Sequence, residues 1–385
     1  MVVNPICPVQ RDRPEDFLVQ ELSAFEPSGV GDHLALWIVK RNLDHHSMVG
    51  RIARAFDVPR RSVGWAGMKD RVAVTQQWIT VKTERDFPCQ LDSEDLQVLQ
   101  SARHDRRLRV GHLTGNRFTV RMRGVDPVMA PRAMQSLRAL SSTGLPNRFM
   151  AQRFGSFARN HLIGAAILQG RPEEVLDIWL GRPDSEDGSE DAIRRTHYEE
   201  GRWEQARQQW PASWKPERQA LRLLSQGTSA AKTVSSVPRS VRMLWTDALQ
   251  SFCFNAVVDR REAEGSLHSL LEGDISWSHD RLLKQMGESP RPAVATGPLW
   301  GRRMRGASGH PHEIECASLA PVGLEPTSFQ GPDAPKGARR PLLAPVLGTR
   351  CSAGFDEHGS WLEIGFDLPK GSYATAVEQR IIAAL

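Results

Sequence analysis

Cysteine is scarce and scattered in this 385-residue chain: Cys7, Cys89, Cys253, Cys316 and Cys351 contain no C-x-x-C pair. That spacing gives neither a disulfide framework nor a zinc site, and it suits a reducing compartment. No apolar run is long enough to read as a membrane span. The opening Met1-Val2-Val3-Asn4-Pro5 lacks the charged and then apolar regions of a secretory leader, so a cytoplasmic protein is expected. Also missing are a G-x-x-x-x-G-K-[ST] phosphate loop, a G-x-S-x-G elbow and an H-E-x-x-H pair. His45-His46 and His310-x-His312 have no Cys, His or carboxylate cluster at ligand spacing, which leaves no metal site to expect. No internal repeat is present.

What is there is ordinary in bulk and specific in detail. With 40% hydrophobic and 25% charged residues, the chain can build more than one core, and its length suggests two domains or three. The net charge is +5, the pI is near 9.1, and Arg outnumbers Lys. Arg recognises phosphate through a planar fork and stacks on bases, so the balance points toward nucleic acid, though weakly by itself.

The stretch 63–81 organises the rest. It starts as a short apolar run, breaks at Gly67, exposes Met68-Lys69-Asp70-Arg71, and resumes as a strand through Trp78, Ile79 and Val81. A carboxylate between Lys69 and Arg71 is expected to stay ionised, because adjacent positive charge favours its charged form. On a turn aimed by a strand on each side, Asp70 can serve as nucleophile or general base. It can equally cap a turn beside two solvated cations. Upstream, Leu34–Val39 reads as a strand covered on both faces. Val49, Ile52, Ala53 and Phe56 then recur at helical spacing behind an Asp or Ser N-cap.

The wording of the central stretch, Ala66-Gly67-Met68-Lys69-Asp70-Arg71-x-Ala73-Val74-Thr75-x-Gln77, resembles the A-G-x-K-D-[KR]-x-A-[VT]-T-x-Q signature of the TruD family of tRNA pseudouridine synthases. The resemblance implies that Asp70 is the catalytic residue. It implies an α+β fold: a pseudouridine synthase-type catalytic domain with a mixed, mainly antiparallel sheet flanked by helices, interrupted by a mostly helical α/β insertion. The expected boundaries are residues 1–143 and 344–385 for the catalytic domain and 144–343 for the insertion. It implies tRNA as partner, uridine-13 of the D arm as target, and no metal or organic cofactor. Neither a membrane nor an obligate protein partner is expected.

Further blocks extend the resemblance. Arg11-x-x-Pro14-Glu15-Asp16-Phe17 is similar to the family's P-E-D-F segment, where Lys often stands at the position of Arg11 near the pocket. Glu15 and Asp16 also fit a plain turn, and neither is assigned a catalytic role. Residues 103–109 carry Arg103, Arg106, Arg107 and Arg109, which can bind phosphate or simply face solvent. After a Thr114-Gly115-Asn116 turn, Phe118, Val120 and Met122 alternate with Thr119, Arg121 and Arg123 as a strand. By resemblance Asn116 and Phe118 face Asp70, Lys69 supports it, and Phe118 stacks on the target base; periodicity alone makes Phe118 strand core. A dense basic segment beside such an aromatic is what binding of an unstacked base requires.

The block 144–155 resembles G-[VF]-P-N-Y-F-G-x-Q-R-F-G, with Arg148 for Tyr and Met150 for Gly. The first change is expected to add charge near the RNA groove and the second to alter a backbone turn. Asn147, Gln152 and Arg153 are candidate RNA contacts, with capping and ion pairing as rival roles. The polar stretch 183–191 reads as a loop, 201–224 as helical, and 303–345 as loops and a return linker. Leu362, Ile364, Phe366 and Leu368 mark a clean strand, and Ser372 is placed to cap a final helix. The favoured reading is a tRNA pseudouridine synthase. The alternatives are the same chemistry on another RNA uridine, or a non-catalytic tRNA-binding protein or chaperone, for which a carboxylate among phosphate-binding groups has no use.

Overall fold

The computed structural model describes residues 13–85, 91–183, 189–285 and 287–385. Its contacts divide it into two compact units. One comprises Met1–Leu145, His279–Pro292 and Ala344–Leu385; the other comprises Pro146–Ser278 and Ala293–Leu343. The return of 279–292 to the first unit, from the middle of the insertion, has no signal in the sequence.

The first unit is built on one eight-stranded mixed sheet. Its strands are β1 (Phe17–Ser23), β2 (His33–Arg41), β3 (Val63–Trp65), β4 (Val74–Lys82), β5 (Leu96–His104), β6 (Leu113–Arg123) and two from the end of the chain, Leu347–Asp356 and Gly359–Pro369. Across the sheet the order is Leu347–Asp356, Gly359–Pro369, β6, β1, β4, β2, β5, with β3 also on β4. The β1–β4 pair is parallel and the other pairs are antiparallel. The chain is thus α+β, with the mainly antiparallel sheet that the resemblance implies.

One face of the sheet carries two cores. Over one half, Leu34, Leu36 and Ile38 of β2 pack with Ile79, Val81 and the apolar side of helix α1 (His45–Ala55). The α1 start is fixed by Asp44, whose carboxylate accepts the Ser47 amide at 2.9 Å. Over the other half, Phe118, Val120 and Met122 of β6 and Leu362, Ile364, Phe366 and Leu368 of the last strand pack with helix α2 (Ala130–Thr143) and the C-terminal helix Ala374–Ile382. Between the two cores the same face is polar, and the site lies there.

The second unit is mostly helical around the 25-residue helix Arg239–Ala263. Its buried residues Leu249 and Cys253 share a core with Trp300 and Phe329. Among the described residues no helix is long and apolar enough to cross a membrane.

Several local expectations change. Thr114-Gly115-Asn116 is no turn: β6 runs through it. A Cβ on Gly115 would lie 2.2 Å from the Leu368 carbonyl oxygen, so this glycine permits a close backbone approach inside the sheet. The stretch 303–345 holds the helix Gly309–Ala317 and the strand Ala338–Pro341. Of the polar stretch, 184–188 lie outside the described residues, while Glu190 and Asp191 begin a helix capped by Ser189. The final helix has Tyr373, not Ser372, at its N-cap, without a side-chain capping bond.

Candidate active site

β1 and β3 share one edge of β4. Residues 18–20 of β1 pair with the start of that strand, Val74–Gln76, and β3 pairs with its far end, Ile79–Val81. Trp78 falls in the gap, and its backbone N–H is taken by a side chain: Glu21 Oε1 accepts it at 3.4 Å. A carboxylate is therefore drawn into the middle of the sheet, 3% exposed. Burial pushes the Glu21 pKa up, and the nearby Lys69 ammonium opposes the shift.

The loop between β3 and β4 arrives over this carboxylate. Met68, Asp70 and Arg71 are exposed, but the Lys69 side chain is only 4% exposed. Its ammonium donates to Asn116 Oδ1 at 2.5 Å and lies 3.5 Å from Glu21 Oε2. Burial lowers the Lys69 pKa, while Glu21 and then Asp70 favour its charged form. Sequence reasoning pairs Lys69 with Arg71 as two flanking cations; Lys69 is instead an internal anchor, and Arg71 alone of the two faces solvent.

Asp70 is held from beneath by Lys40, a residue the sequence reading missed. Its ammonium, fully buried, donates to the Asp70 backbone oxygen at 2.6 Å and to the Leu43 backbone oxygen at 2.8 Å. Burial pulls its pKa down to about 8, against the opposing charges of Asp70 and Asp44. The available signal was a lysine ending an apolar strand at the spacing of its inward side chains, Leu36 and Ile38. Glu21 left a fainter trace, a carboxylate in phase with the buried Phe17 and Val19.

Thr75 and Gln77 lie beside Lys40 and Ile38 in the β2–β4 register, and both are fully buried. Gln77 donates to the Gly67 backbone oxygen at 3.3 Å, which ties down the start of the loop. Among the described residues, Thr75 Oγ1, Gln77 Oε1 and both ring nitrogens of His45 have no hydrogen-bond partner. His45 packs edge-on against Trp65, and burial lowers its pKa to about 4, with His46 and Lys40 adding to the shift. The site is a band of buried polar groups supporting one exposed carboxylate.

The remaining sequence candidates separate by environment. Phe118 is 6% exposed, with its ring between those of Phe17 and Phe366 at 6.1 and 5.6 Å. Arg103 is spent on the backbone oxygens of Thr83, Glu84 and Arg85. Arg106 pairs with Asp105 at the surface. Arg107 donates to the Val63 oxygen and lies across Gly64, where a Cβ would stand 2.6 Å from its Cγ. Arg109 is exposed. Arg11 lies outside the described residues. Glu15 pairs with Arg41, and Asp16 with Arg123, which keeps both in ion pairs.

In the second unit, Asn147 donates to the Pro341 oxygen at 3.0 Å and accepts from Arg340, so its side chain is engaged internally. Gln152 is exposed, and Arg153 lies over the Phe149 ring. Arg148 does not add unpaired charge; it binds Asp259 and Glu262 of the long helix. Met150 has φ −89° and ψ 167°, an extended backbone open to any residue, so the backbone here does not require glycine.

The sequence model of the family described as tRNA pseudouridine synthase D (TruD) matches residues 4–381. A tRNA pseudouridine synthase D of Syntrophotalea carbinolica is 36% identical over 96% of this chain and 94% of its own. Its namesake from Geobacter sulfurreducens is 34% identical over 97% and 93%. A crystal structure of a Methanosarcina mazei chain described as a tRNA pseudouridine synthase D superposes with TM-score 0.78 at 27% identity, covering 97% of this chain and 93% of that one. Matched end to end in sequence and fold, the chain belongs to the TruD family of tRNA pseudouridine synthases.

Proposed function

We propose that this enzyme converts uridine-13 in the D arm of tRNA to pseudouridine, in the cytoplasm, with Asp70 as the catalytic carboxylate. The reaction breaks the C1′–N1 glycosidic bond, turns the uracil and joins C1′ to C5; C5 loses a proton and N1 gains one, so nothing is oxidised or reduced. A base inside a stack is out of reach, and the nucleotide must be flipped out first. Both routes open to the carboxylate, attack on C1′ or assistance to a glycal intermediate, need an ionised oxygen held still beside the sugar.

The observation that carries this reading is the combination at Asp70. Its carboxylate faces solvent while its backbone oxygen is held by Lys40 and its neighbour Lys69 by Asn116. A turn cap has no need of two buried lysines beneath it. Of the candidate phosphate or base contacts, Arg71, Arg106, Arg107, Arg109 and Gln152 are exposed and Arg153 is half-buried; Arg71 and Arg109 carry no ion pair or backbone contact named above.

Asp70→Asn keeps the size and a carbonyl acceptor but removes the ionised oxygen. Purified variant protein with unmodified tRNA is expected to form no pseudouridine and to bind tRNA at least as well as wild type, since one negative charge is gone. Wild-type conversion by the variant would overturn the assignment of Asp70. Mapping pseudouridine in tRNA from cells lacking the protein tests the position; loss at a uridine other than 13 would replace the target and keep the chemistry.

A further inference from the structure

Lys40 is costly where it stands. A fully buried ammonium gives up its hydration, and among the described residues no carboxylate lies within ion-pair distance of it. An apolar side chain would fill the end of β2 without that cost. What the ammonium does instead is join two loops. It donates to the Leu43 oxygen in the turn after β2 and to the Asp70 oxygen in the loop before β4. The same loops meet again at Asn42, whose amide donates to the Ala73 oxygen at 3.1 Å. Asn42 has a left-handed backbone, φ 46°, which aspartate and asparagine tolerate better than other non-glycine residues.

We infer that Lys40 is a positioning residue for the reaction: by clamping the 42–44 turn to the Asp70 backbone, it fixes where the catalytic carboxylate stands relative to the sugar. This rests on the assignment of Asp70 above. Lys40 does not touch substrate; it acts through the Asp70 main chain. Charged groups facing it are Asp70, Asp44 and Lys69, with His45 close enough to feel its charge. An uncharged amine retains N–H donors, so the clamp itself does not require the charge.

Lys40→Met tests the clamp, because methionine has nearly the same length and suits a buried site. The variant is expected to melt at or near the wild-type temperature, since an unpaired buried charge has been exchanged for an apolar group. Its kcat should fall by about 10²-fold, the usual effect of displacing a catalytic group by about an ångström, with KM for tRNA unchanged. Amide hydrogen exchange should quicken by about 10- to 100-fold at Asn42 and Ala73, the hydrogen-bonded amides of the two clamped loops, the weight of one charge-assisted hydrogen bond, and stay the same in β2 and β4. Lys40→Gln, which keeps a donor, should recover part of kcat.

Wild-type kcat and unchanged loop exchange in Lys40→Met would overturn the proposal. So would failure of both variants to fold, or a parallel fall of melting temperature and activity with exchange raised throughout the sheet, which would make Lys40 a core residue. The exchange readout needs no turnover. If wild-type protein makes no pseudouridine, the proposed function fails while the clamp is still tested.

Discussion

Lys69 stands next to Asp70 in the chain, yet its ammonium lies 3.5 Å from the buried Glu21 carboxylate and donates to Asn116. The motif's lysine thus connects the loop that carries Asp70 to β1 and β6 at once. Two strands distant in sequence and the loop between β3 and β4 meet at one ammonium, and the carboxylate of Asp70 is left outside with Arg71.

Glu21→Gln removes the charge facing Lys69 and keeps an acceptor for Trp78 N–H. Breaking a buried ion pair from one side strands the other charge, and a loss of about 3–5 kcal/mol in unfolding free energy is expected. Denaturant unfolding checks this. A variant as stable as wild type would mean that the two groups meet uncharged.

Phe118→Ala empties a space between the Phe17 and Phe366 rings. The expected cost is about 3–5 kcal/mol, seen as a lower melting temperature. Phe118→Leu separates packing from stacking, because leucine fills much of the core but offers no ring. If it folds like wild type and turns over normally, Phe118 has no part in holding the base. Selective loss of turnover would support the stacking role.

The arginines of residues 103–109 are expected to behave as two classes. Arg109→Ala, like Arg71→Ala, should leave stability alone, weaken tRNA binding and reduce the slope of log affinity against log salt by about one. Arg103→Ala frees three backbone oxygens of their donor and should act on stability. Binding titrations over a range of salt, beside melting curves, distinguish them. A salt-independent affinity would speak against phosphate contacts altogether.

His45 gives the fold an acid limb. An unfolded histidine takes up a proton near pH 6.5, whereas folded His45 does so at about 4. Between those values the unfolded chain binds the extra proton, so stability falls as pH drops from 6.5 to 4, by about 3 kcal/mol for this one group. Unfolding midpoints at pH 7, 5.5 and 4 measure it. His45→Leu should flatten that limb, and an unchanged pH profile in the variant would assign it to other groups.

Much of this protein is local in origin, and local features are legible in a sequence. Alternating apolar residues placed the last strand, and helical spacing behind Asp44 placed α1, because one buried face imposes a period on the chain. The motif around Asp70 marked the candidate site, and its break between two strands is the loop observed. What the tertiary structure decided is which polar groups are sequestered. Glu21 is buried because β1 and β3 leave the Trp78 amide open between them, a consequence of strand order. Lys40 lies under Asp70 because the turn after β2 reaches the loop before β4, and Lys69 turns inward because β6 brings Asn116 beside β1. Arg103 and Arg109 look alike in the chain and differ only in what folds against them. Charge and hydrogen-bonding capacity are written residue by residue, but their partners are chosen by contacts between distant segments.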